Sequence, residues 1–406
     1  MKTAVFAFIS LLIGLVIAEL TIKVAAIVSP RIAYELRPPW SNRALDPDPK
    51  LGYRVSRYYP GSDKRGYRNP EALDTSNILA IGDSTTYGYS VVESQSWPAV
   101  VRNENNLDIY NAGVGGYGPC EYLEVSKELI NLNPAQIVVA LYLGNDMSDA
   151  YTSVYLEDRC PDLQTDNAEL LKELRRLREE QSLLKQATEL GLESVAEPFR
   201  DGLPLSHLYG SNLRDKSSIY SLVRAAYHKL NNIHYGRFGE DTDKRFATES
   251  QIQGAIAYEH IKELRTVFKS PAVEVLAVDQ NDLRISEGRR ITETVLDEIN
   301  TLAQANNAQL IVAIIPTKGV AYRNILGDSF ISQHSYFPPK IENELKLKQD
   351  ILSFLDENEI VHVDTTPLLE KALSDRTPPF HQTSNEHPNA HGYSVVANAI
   401  AAAVSK

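Results

Sequence analysis

Three polar residues of the chain stand where an α/β protein places reactive groups. Ser84 follows the apolar run 78–81 and Gly82, and a run of this kind is typical of a strand buried on both faces of a parallel sheet. Asn145 follows a second apolar run, and His387 precedes the last predicted helix. Acyl transfer needs a hydroxyl nucleophile, a base that takes its proton and hydrogen-bond donors around the developing oxyanion. Ser84, His387 and Asn145 are therefore candidates for these parts.

The loop after the second predicted strand is rich in glycine. Residues 112–118 contain four glycines, which indicates backbone dihedrals or a close approach that other residues do not allow. The backbone N–H groups of Ser84 and of one of these glycines would join the Asn145 amide as oxyanion donors. Asp83 and Ser84 also suit an ordinary helix cap, so the stretch around Ser84 alone leaves both interpretations open.

The apolar periodicity of the chain predicts the elements that position these residues. Five short apolar runs predict strands, at residues 78–81, 109–111, 137–143, 309–315 and 360–363. Four segments predict helices between or after these strands, at residues 121–131, 289–306, 340–358 and 389–404. Strands that alternate with helices indicate an α/β protein with a parallel five-stranded sheet in a three-layer sandwich.

The alternation of strands and helices stops between residues 151 and 286. Within this segment, leucines at helical spacing among many charged residues predict an amphipathic helix over residues 168–190. We interpret residues 151–286 as a mainly helical insertion or cap, and residues 75–150 with 287–406 as the main domain. Residues 29–74 are rich in Pro, Arg and Tyr and show little periodicity, so they are predicted to form an arm against that domain.

The N-terminus has the features of a membrane segment. Residues 3–18 are uncharged and almost wholly apolar, and the apolar character resumes after Glu19 as far as Val28. A cleaved signal peptide that ends at Ala18 and an uncut anchor over residues 1–28 both fit this pattern, and the resumed apolar run favours the anchor. In both cases the remaining chain is exported. In the favoured case it is a single-pass membrane protein with its main domain outside the cytoplasm.

Composition limits the partners and cofactors of the chain. Its 406 residues are 43% hydrophobic and carry a net charge of −12, which suits a globular core and argues against nucleic acid as a partner. His381, His387 and His391 could suggest a metal site, but Pro388 makes His387 a cap residue and not a helical i,i+4 ligand, so we expect no metal and no cofactor. Cys120 and Cys160 are the only cysteines. An exported chain could pair them, but two free buried thiols are the favoured interpretation.

Four short motifs, taken in order, resemble those of the SGNH or GDSL-type hydrolase family. They are Gly82-Asp83-Ser84, Asn111-Ala112-Gly113-Val114-Gly115-Gly116, Gly144-Asn145-Asp146, and His387-Pro388-Asn389 with His391-Gly392. The resemblance covers residues 74–150 and 289–406 and implies a flavodoxin-like fold with the site at the carboxyl ends of the strands. It also implies that Ser84 is the nucleophile and His387 the base. Gly116 and Asn145 would then join the Ser84 N–H in the oxyanion hole.

One position departs from the family pattern. Members of the family carry an Asp two or three residues before the histidine, where this chain has Asn385 and Ser384. Glu386 is adjacent to His387, but neighbouring side chains usually point apart. The acid that orients the base is therefore missing, replaced by Asn385, Ser384 or Glu386, or supplied from elsewhere.

The motifs and the N-terminal segment together predict a serine esterase or deacylase. Its substrate would be an acyl ester, such as an acetyl ester, on a carbohydrate or lipid outside the cytoplasm. A polysaccharide O-acyltransferase with the same acyl-enzyme is one alternative, and a non-catalytic binding or scaffold protein with a degenerate triad is another. The arm and the run Ile315-Pro316-Thr317-Lys318 also resemble those of membrane-anchored bacterial members of the surface-polysaccharide type. Lys318 itself is predicted to bind an anionic substrate or to form a surface salt bridge.

Overall fold

The computed structural model describes residues 2–37, 44–180, 242–252, 255–268 and 271–405. Its first element is helix α1, Lys2–Val28, whose side chains are mostly exposed. The part Val5–Val28 is long and apolar enough to cross a membrane, a test that a signal sequence near an N-terminus also passes. Glu19 and Lys23 form an ion pair at 3.4 Å, as their i,i+4 spacing on a helix predicts.

The arm between α1 and the main domain contains regular structure that its sequence does not predict. Helix α2 (Pro30–Glu35) is followed by two short strands, β1 (Leu45–Asp48) and β2 (Gly52–Val55), which form an antiparallel ribbon. The Asp48 carboxylate accepts hydrogen bonds from the backbone N–H groups of Lys50 and Leu51 at 2.9 Å each, which closes the turn between the strands. Arg54 pairs with Glu128 of the main domain, so the ribbon is fixed to that domain.

The first half of the main domain alternates strands with helices. Its elements are β3 (Ile78–Gly82), α3 (Ser84–Tyr87), α4 (Trp97–Glu104), β4 (Ile109–Asn111), α5 (Pro119–Leu129), β5 (Gln136–Tyr142) and α6 (Asp146–Tyr151). The insertion then contributes α7 (Ala168–Glu180), α8 (Thr242–Glu249), an antiparallel hairpin of β6 (Ile256–Tyr258) and β7 (Thr266–Phe268), and α9 (Pro271–Ala277). Residues 181–190 of the helix predicted from residue 168 lie outside the described residues.

The second half of the main domain resumes the alternation. Its elements are α10 (Leu283–Ala305), β8 (Gln309–Ile315), α11 (Lys318–Gln333), α12 (Phe337–Glu357), β9 (Val361–Asp364), α13 (Thr366–Ser374) and α14 (Ala390–Val404). Asp282 caps α10 by accepting from the N–H of Arg284, so this helix begins before the predicted domain boundary at residue 287. The sequence does not predict α11 and α13. Gly327 breaks the helical pattern within α11 and has a φ of 72°, and α13 is only nine residues long.

Five strands form one parallel sheet in the order β4-β3-β5-β8-β9. Counted within the sheet, this is the strand order 2-1-3-4-5 of flavodoxin-like folds. The prediction of an α/β fold with a five-stranded parallel sheet and surrounding helices is confirmed. Because β3 lies between β4 and β5, the carboxyl ends of these strands meet at the switch point where such folds bind ligands.

The continuous apolar character of the strands reflects helices on both faces of the sheet. Leu79 and Ile81 belong to the core shared with α5 and α10, whereas Ile78 and Ala80 belong to the core shared with α4 and α14. Successive side chains of a strand point to opposite faces, so a strand covered on both faces needs apolar residues at every position. The three-layer arrangement is therefore already encoded in the short run that precedes Ser84.

Cys120 and Cys160 form a disulfide with their Cα atoms 6.2 Å apart, so the prediction of two free thiols is wrong. Cys120 lies in α5, and Cys160 lies at the start of the insertion. Arg159 beside it forms an ion pair with Glu121 at 3.0 Å and donates to the Leu51 carbonyl at 2.6 Å. The spacing of 40 residues could not show this pairing, because it depends on how the chain returns to α5 after α6.

Candidate active site

Ser84 lies at the carboxyl end of β3, on the first residue of α3. Asp83 is the N-cap of this short helix, and its Oδ1 accepts the N–H of Thr85 at 2.7 Å. Gly82 is required at the strand exit because a Cβ there would lie 2.2 Å from Oγ1 of Thr86. The helix-cap interpretation and the nucleophile interpretation of this stretch are thus compatible. Asp83 caps the helix, and Ser84 remains only partly buried.

The Ser84 hydroxyl and the His387 imidazole are in direct contact. Oγ of Ser84 lies 2.8 Å from Nε2 of His387, and Nδ1 of His387 lies 2.9 Å from Oδ1 of Asn385. The same Oδ1 accepts the backbone N–H of His387 at 3.0 Å. An amide oxygen accepts and does not donate, so Nδ1 carries the proton and Nε2 is left to accept the proton of Ser84. This is the tautomer that a general base requires.

The other end of the Asn385 amide is also held. Its Nδ2 donates to Oγ of Ser90 at 2.5 Å. Ser90 has a φ of 70°, a conformation that residues other than glycine seldom adopt. Such strain is kept where the surrounding structure requires it, and here it brings the Ser90 hydroxyl to Asn385. The sequence gives no signal for this role, because the contact joins residues that lie 295 positions apart.

Of the candidates for an orienting group, Asn385 alone contacts the imidazole. The backbone N–H of Ser384 donates to the Glu249 carboxylate at 2.5 Å. Both carboxylate oxygens of Glu386 are buried without a hydrogen-bond partner among the described residues. The position of the usual acid is therefore occupied by the neutral amide of Asn385.

Burial controls the protonation of the base. Burial, with a smaller contribution from His381, lowers the pKa of His387 from its ordinary value of 6.5 to about 4. Among the described residues, the hydrogen-bond partners of the ring are Ser84 and Asn385, and neither is a carboxylate that would stabilise its cation. The imidazole is therefore neutral, and competent to accept a proton, over the whole range above about pH 4.

Lys318 is buried and does not reach the surface, so both predicted roles for it, an anionic-substrate site and a surface salt bridge, are wrong. Its Nζ donates to the carbonyls of Val267, Thr383 and Asn385 at 3.0, 2.7 and 3.3 Å. Burial lowers the pKa of Lys318 to about 8. The ammonium group therefore fixes the backbone of the loop that carries Asn385 and His387. The apolar residues before Pro316 predict strand β8. They do not predict that the loop with Asn385 and His387 passes over the end of this strand.

The insertion also supports the histidine loop, residues 381–387. Oγ1 of Thr266 donates to the His381 carbonyl at 3.1 Å, and Nε of Arg265 donates to the Gln382 side chain at 3.1 Å. Together with the bond from Lys318 to Val267, these contacts tie β7 to the loop. The insertion therefore helps to hold the loop that carries the base.

The glycine-rich loop lies against Ser84. The N–H of Val114 donates to the Gly82 carbonyl at 3.1 Å, which joins the loop to the end of β3. A Cβ on Gly115 would lie 3.6 Å from Cβ of Ser84, so the backbone of this residue faces the nucleophile at close range. Gly116 has a φ of 83°, which explains why glycine is needed at that position.

Asn145 follows β5, and its side chain is held by the carboxyl group of Asp149. Its Nδ2 donates to Oδ2 of Asp149 at 2.7 Å, and Oδ2 of Asp146 accepts the N–H of Tyr142 at 2.9 Å. Burial, followed by the nearby charge of Asp83, raises the pKa of Asp146 and of Asp149 well above the ordinary range. The electrostatic coupling to Asp83 indicates that the Asn145 loop lies beside the Ser84 turn.

Tyr89 lines the open side of the site. Its ring centroid lies 4.9 Å from that of His387, and 56% of the residue is exposed. Its backbone is fixed, because the hydroxyl of Tyr393 donates to the Tyr89 carbonyl at 3.1 Å. Tyr89 and Ser90 thus form one short segment that touches both the base and its orienting amide.

No protein-family model and no curated protein matches the chain. Several solved structures are similar to it at low sequence identity. A lipolytic protein of the G-D-S-L family from Desulfitobacterium hafniense is 12% identical over 81% of this chain and 99% of its own, with a TM-score of 0.35. A GDSL-like lipase from Bacteroides thetaiotaomicron is 12% identical over 81% of this chain and 87% of its own, with a TM-score of 0.33. A catalytic mutant of an acetylxylan esterase from Geobacillus stearothermophilus is 10% identical over 82% and 95%, with a TM-score of 0.32.

Proposed function

We propose that this chain is a serine esterase that cleaves an acyl ester through an acyl-enzyme on Ser84. The observation that carries the proposal is the hydrogen-bonded series from Ser84 through His387 to Asn385, with distances of 2.8 and 2.9 Å. The direction of the Asn385 amide leaves Nε2 of His387 as the acceptor. A serine next to a base that is itself oriented by a third group is the arrangement of nucleophilic acyl transfer.

In the first step, Oγ of Ser84 attacks the ester carbonyl carbon while its proton passes to Nε2 of His387. The carbonyl oxygen becomes an oxyanion, and the proposed donors to it are the N–H groups of Ser84 and Gly116 and the Nδ2 of Asn145. The carbon–oxygen bond to the alcohol then breaks, and His387 returns the proton to the departing alkoxide. An acyl-serine and a free alcohol result.

In the second step, His387 removes a proton from water, and the hydroxide attacks the acyl carbon. The carbon–Oγ bond breaks, Ser84 regains its proton from His387, and the acid is released. A polysaccharide O-acyltransferase would differ here only because a sugar hydroxyl takes the place of water. The ordered contacts around Ser84 support an enzyme over a scaffold protein with a degenerate triad.

The proposed location is outside the cytoplasm, with an acylated carbohydrate or lipid as the substrate. Helix α1 supports a membrane anchor because its apolar side chains are exposed. The disulfide between Cys120 and Cys160 supports an exported domain, since disulfides persist in oxidising compartments. The main domain would then act on esters at the cell surface.

A fluorophosphonate probe tests the proposal directly. We expect it to label the full chain and to lose the signal in Ser84→Ala, while Ser374→Ala, a helix-end serine in α13, labels like the parent. Absence of label in the parent chain, with no hydrolysis of an activated ester, would leave the scaffold alternative. Mass analysis of acyl groups released from candidate glycans and lipids identifies the substrate. Recovery of the chain with membranes, and its N-terminal sequence, distinguish an anchor from a cleaved signal peptide.

A further inference from the structure

Tyr53 brings the membrane-proximal arm into the site. It lies in β2, and its hydroxyl donates to the Gly115 carbonyl at 2.8 Å. Its ring lies 5.5 Å from the ring of Tyr117, and the Tyr117 hydroxyl donates to the Tyr53 carbonyl at 2.5 Å. Tyr53 is therefore held through its backbone and its ring, and its hydroxyl has a fixed position against the glycine-rich loop.

The partner of this hydroxyl is the central peptide of a tight turn. The N–H of Tyr117 donates to the Val114 carbonyl at 3.2 Å, which closes a four-residue turn with Gly115 and Gly116 at its centre. The φ of 83° at Gly116 is that of a type II turn, whereas a type I turn has a negative φ at the same position. The two types differ in the direction of the central peptide. With glycine at both central positions, no Cβ opposes either direction.

The direction of this peptide decides where the Gly116 N–H points. The Gly115–Gly116 peptide is trans, so its C=O and N–H groups point to opposite sides. Tyr53 binds the oxygen on the side of the arm, which turns the N–H away from the arm. On the Gly115 side the loop faces Ser84, since a Cβ on Gly115 would lie 3.6 Å from Cβ of Ser84.

We propose that Tyr53 is a positioning residue whose hydroxyl selects the type II turn and thereby aims the Gly116 N–H at the oxyanion above Ser84. The inference rests on the proposed esterase function. It means that one donor of the oxyanion hole is oriented by the arm that joins the main domain to α1. Without the hydroxyl, the Gly115 oxygen loses its partner and the central peptide is free to rotate.

The test compares Tyr53→Phe with Tyr258→Phe in the full chain. Tyr258 is a matched control because its hydroxyl also donates to a backbone carbonyl, that of Ile325 at 3.1 Å. We expect Tyr53→Phe to lower kcat on an activated ester by at least about 10-fold with KM unchanged, approaching the roughly 10²-fold effect of a lost oxyanion donor. The affinity for a boronic acid, which forms a tetrahedral adduct on serine, should fall by the same factor. Tyr258→Phe should leave both quantities unchanged.

Parent values of kcat and boronic acid affinity in Tyr53→Phe would overturn the inference, as would an equal loss of kcat in Tyr258→Phe. Failure of the proposed function looks different, because the parent chain itself would then neither turn over an ester nor take a fluorophosphonate label. In that event a crystal structure of Tyr53→Phe still decides the conformational claim. A rotated Gly115–Gly116 peptide with negative φ at Gly116 supports it, and an unchanged type II turn contradicts it.

Discussion

Oδ1 of Asn385 lies 2.9 Å from Nδ1 of His387, at the place where serine hydrolases hold a carboxylate. A carboxylate there does two things: it fixes the tautomer of the imidazole and stabilises its cation. The amide of Asn385 does the first, because its direction is set by the backbone N–H of His387 and by Ser90. It cannot do the second, because it carries no charge.

Asn385→Asp should therefore accelerate the proposed reaction. In a serine protease, the reverse change costs roughly 10⁴ in rate, mainly because the histidine takes the wrong tautomer. Here the tautomer is already correct, so the expected gain in kcat is smaller, about 10-fold to 100-fold. Steady-state kinetics on an activated ester at pH 7 measure it.

Two neighbouring variants serve as controls for Asn385→Asp. The backbone of Ser384 is directed at Glu249, so Ser384→Asp should not reproduce the gain. Glu386→Gln should change kcat by less than about 3-fold, because its carboxylate makes no hydrogen bond to the imidazole or to any other described residue. A loss on the order of 10³ in Glu386→Gln would mean that Glu386 and not Asn385 serves the base.

The strands around Ser84 were predictable because their sequence carries the information locally. Residues 78–82 are apolar at every position, which requires helices on both faces of the sheet, and the polar residues at the strand ends follow at once. The same argument predicted that Asn145 lies at the end of a strand, and the resemblance to the hydrolase family identified His387 as the base. These predictions depend on short segments and on the rule that parallel strands end at one edge.

The groups that hold the site were not predictable in this way. Ser90, Lys318 and Tyr53 act through contacts with residues far away in sequence, and a serine, a lysine or a tyrosine in a loop has many uses. Lys318 in particular looked like a surface residue, because nothing local indicates that three backbone carbonyls surround it. Such residues become visible only when the fold places their partners around them.

Ser90→Ala should lower kcat by about 10-fold, the equivalent of one hydrogen bond of roughly 1.4 kcal/mol. Loss of the Ser90 hydroxyl removes the acceptor for Nδ2 of Asn385 and lets the amide turn over, which places the proton of His387 on Nε2. Ser90→Gly should have the same effect on kcat although glycine relieves the strain at φ of 70°. The two oxygens of a carboxylate are equivalent, so an aspartate at position 385 needs no partner to fix its direction. Ser90→Ala in an Asn385→Asp background should therefore lower kcat by less than about 3-fold. Equal losses in both backgrounds would contradict an orienting role.

Asn145→Ala should lower kcat by about 10² to 10³, the usual cost of one oxyanion donor, with little change in KM.

Gly116→Ala should lower kcat as well, although alanine keeps the N–H group. A Cβ there would lie 2.4 Å from the Tyr53 hydroxyl at a φ of 83°, so the turn must move. Gly61→Ala is the matched control, since Gly61 has a φ of 87° with no atom within 4 Å of the added Cβ. Gly61→Ala should lower the melting temperature, because alanine is strained at this φ, but it should keep the parent kcat.

Reduction of the disulfide should destabilise the main domain. The loop it closes spans 40 residues, for which chain entropy gives a stabilisation of about 4 kcal/mol. Chemical denaturation of the chain and of a Cys120→Ala, Cys160→Ala double variant measures the difference. Identical unfolding midpoints, or free thiols detected in protein isolated from the cell envelope, would contradict the bridge.

The pH dependence of the proposed reaction provides the sharpest test of the buried base. Burial lowers the pKa of His387 to about 4, so the imidazole stays neutral as the pH falls and protonates only near that value. The acid limb of kcat/KM should therefore have its midpoint near pH 4, well below the value of about 6.5 for an ordinary histidine. A carboxylate favours the imidazolium, so Asn385→Asp should move the acid limb to higher pH, and its advantage over the parent at pH 7 should shrink in acid. His381→Gln is the control, because the pKa of His381 is also lowered to about 4. Since His381 makes only the smaller contribution to the pKa of His387, its loss should raise the midpoint of the limb only slightly. An acid limb near pH 6.5 in the parent chain would show that the base is solvated or paired with an acid, and that Asn385 does not define its environment.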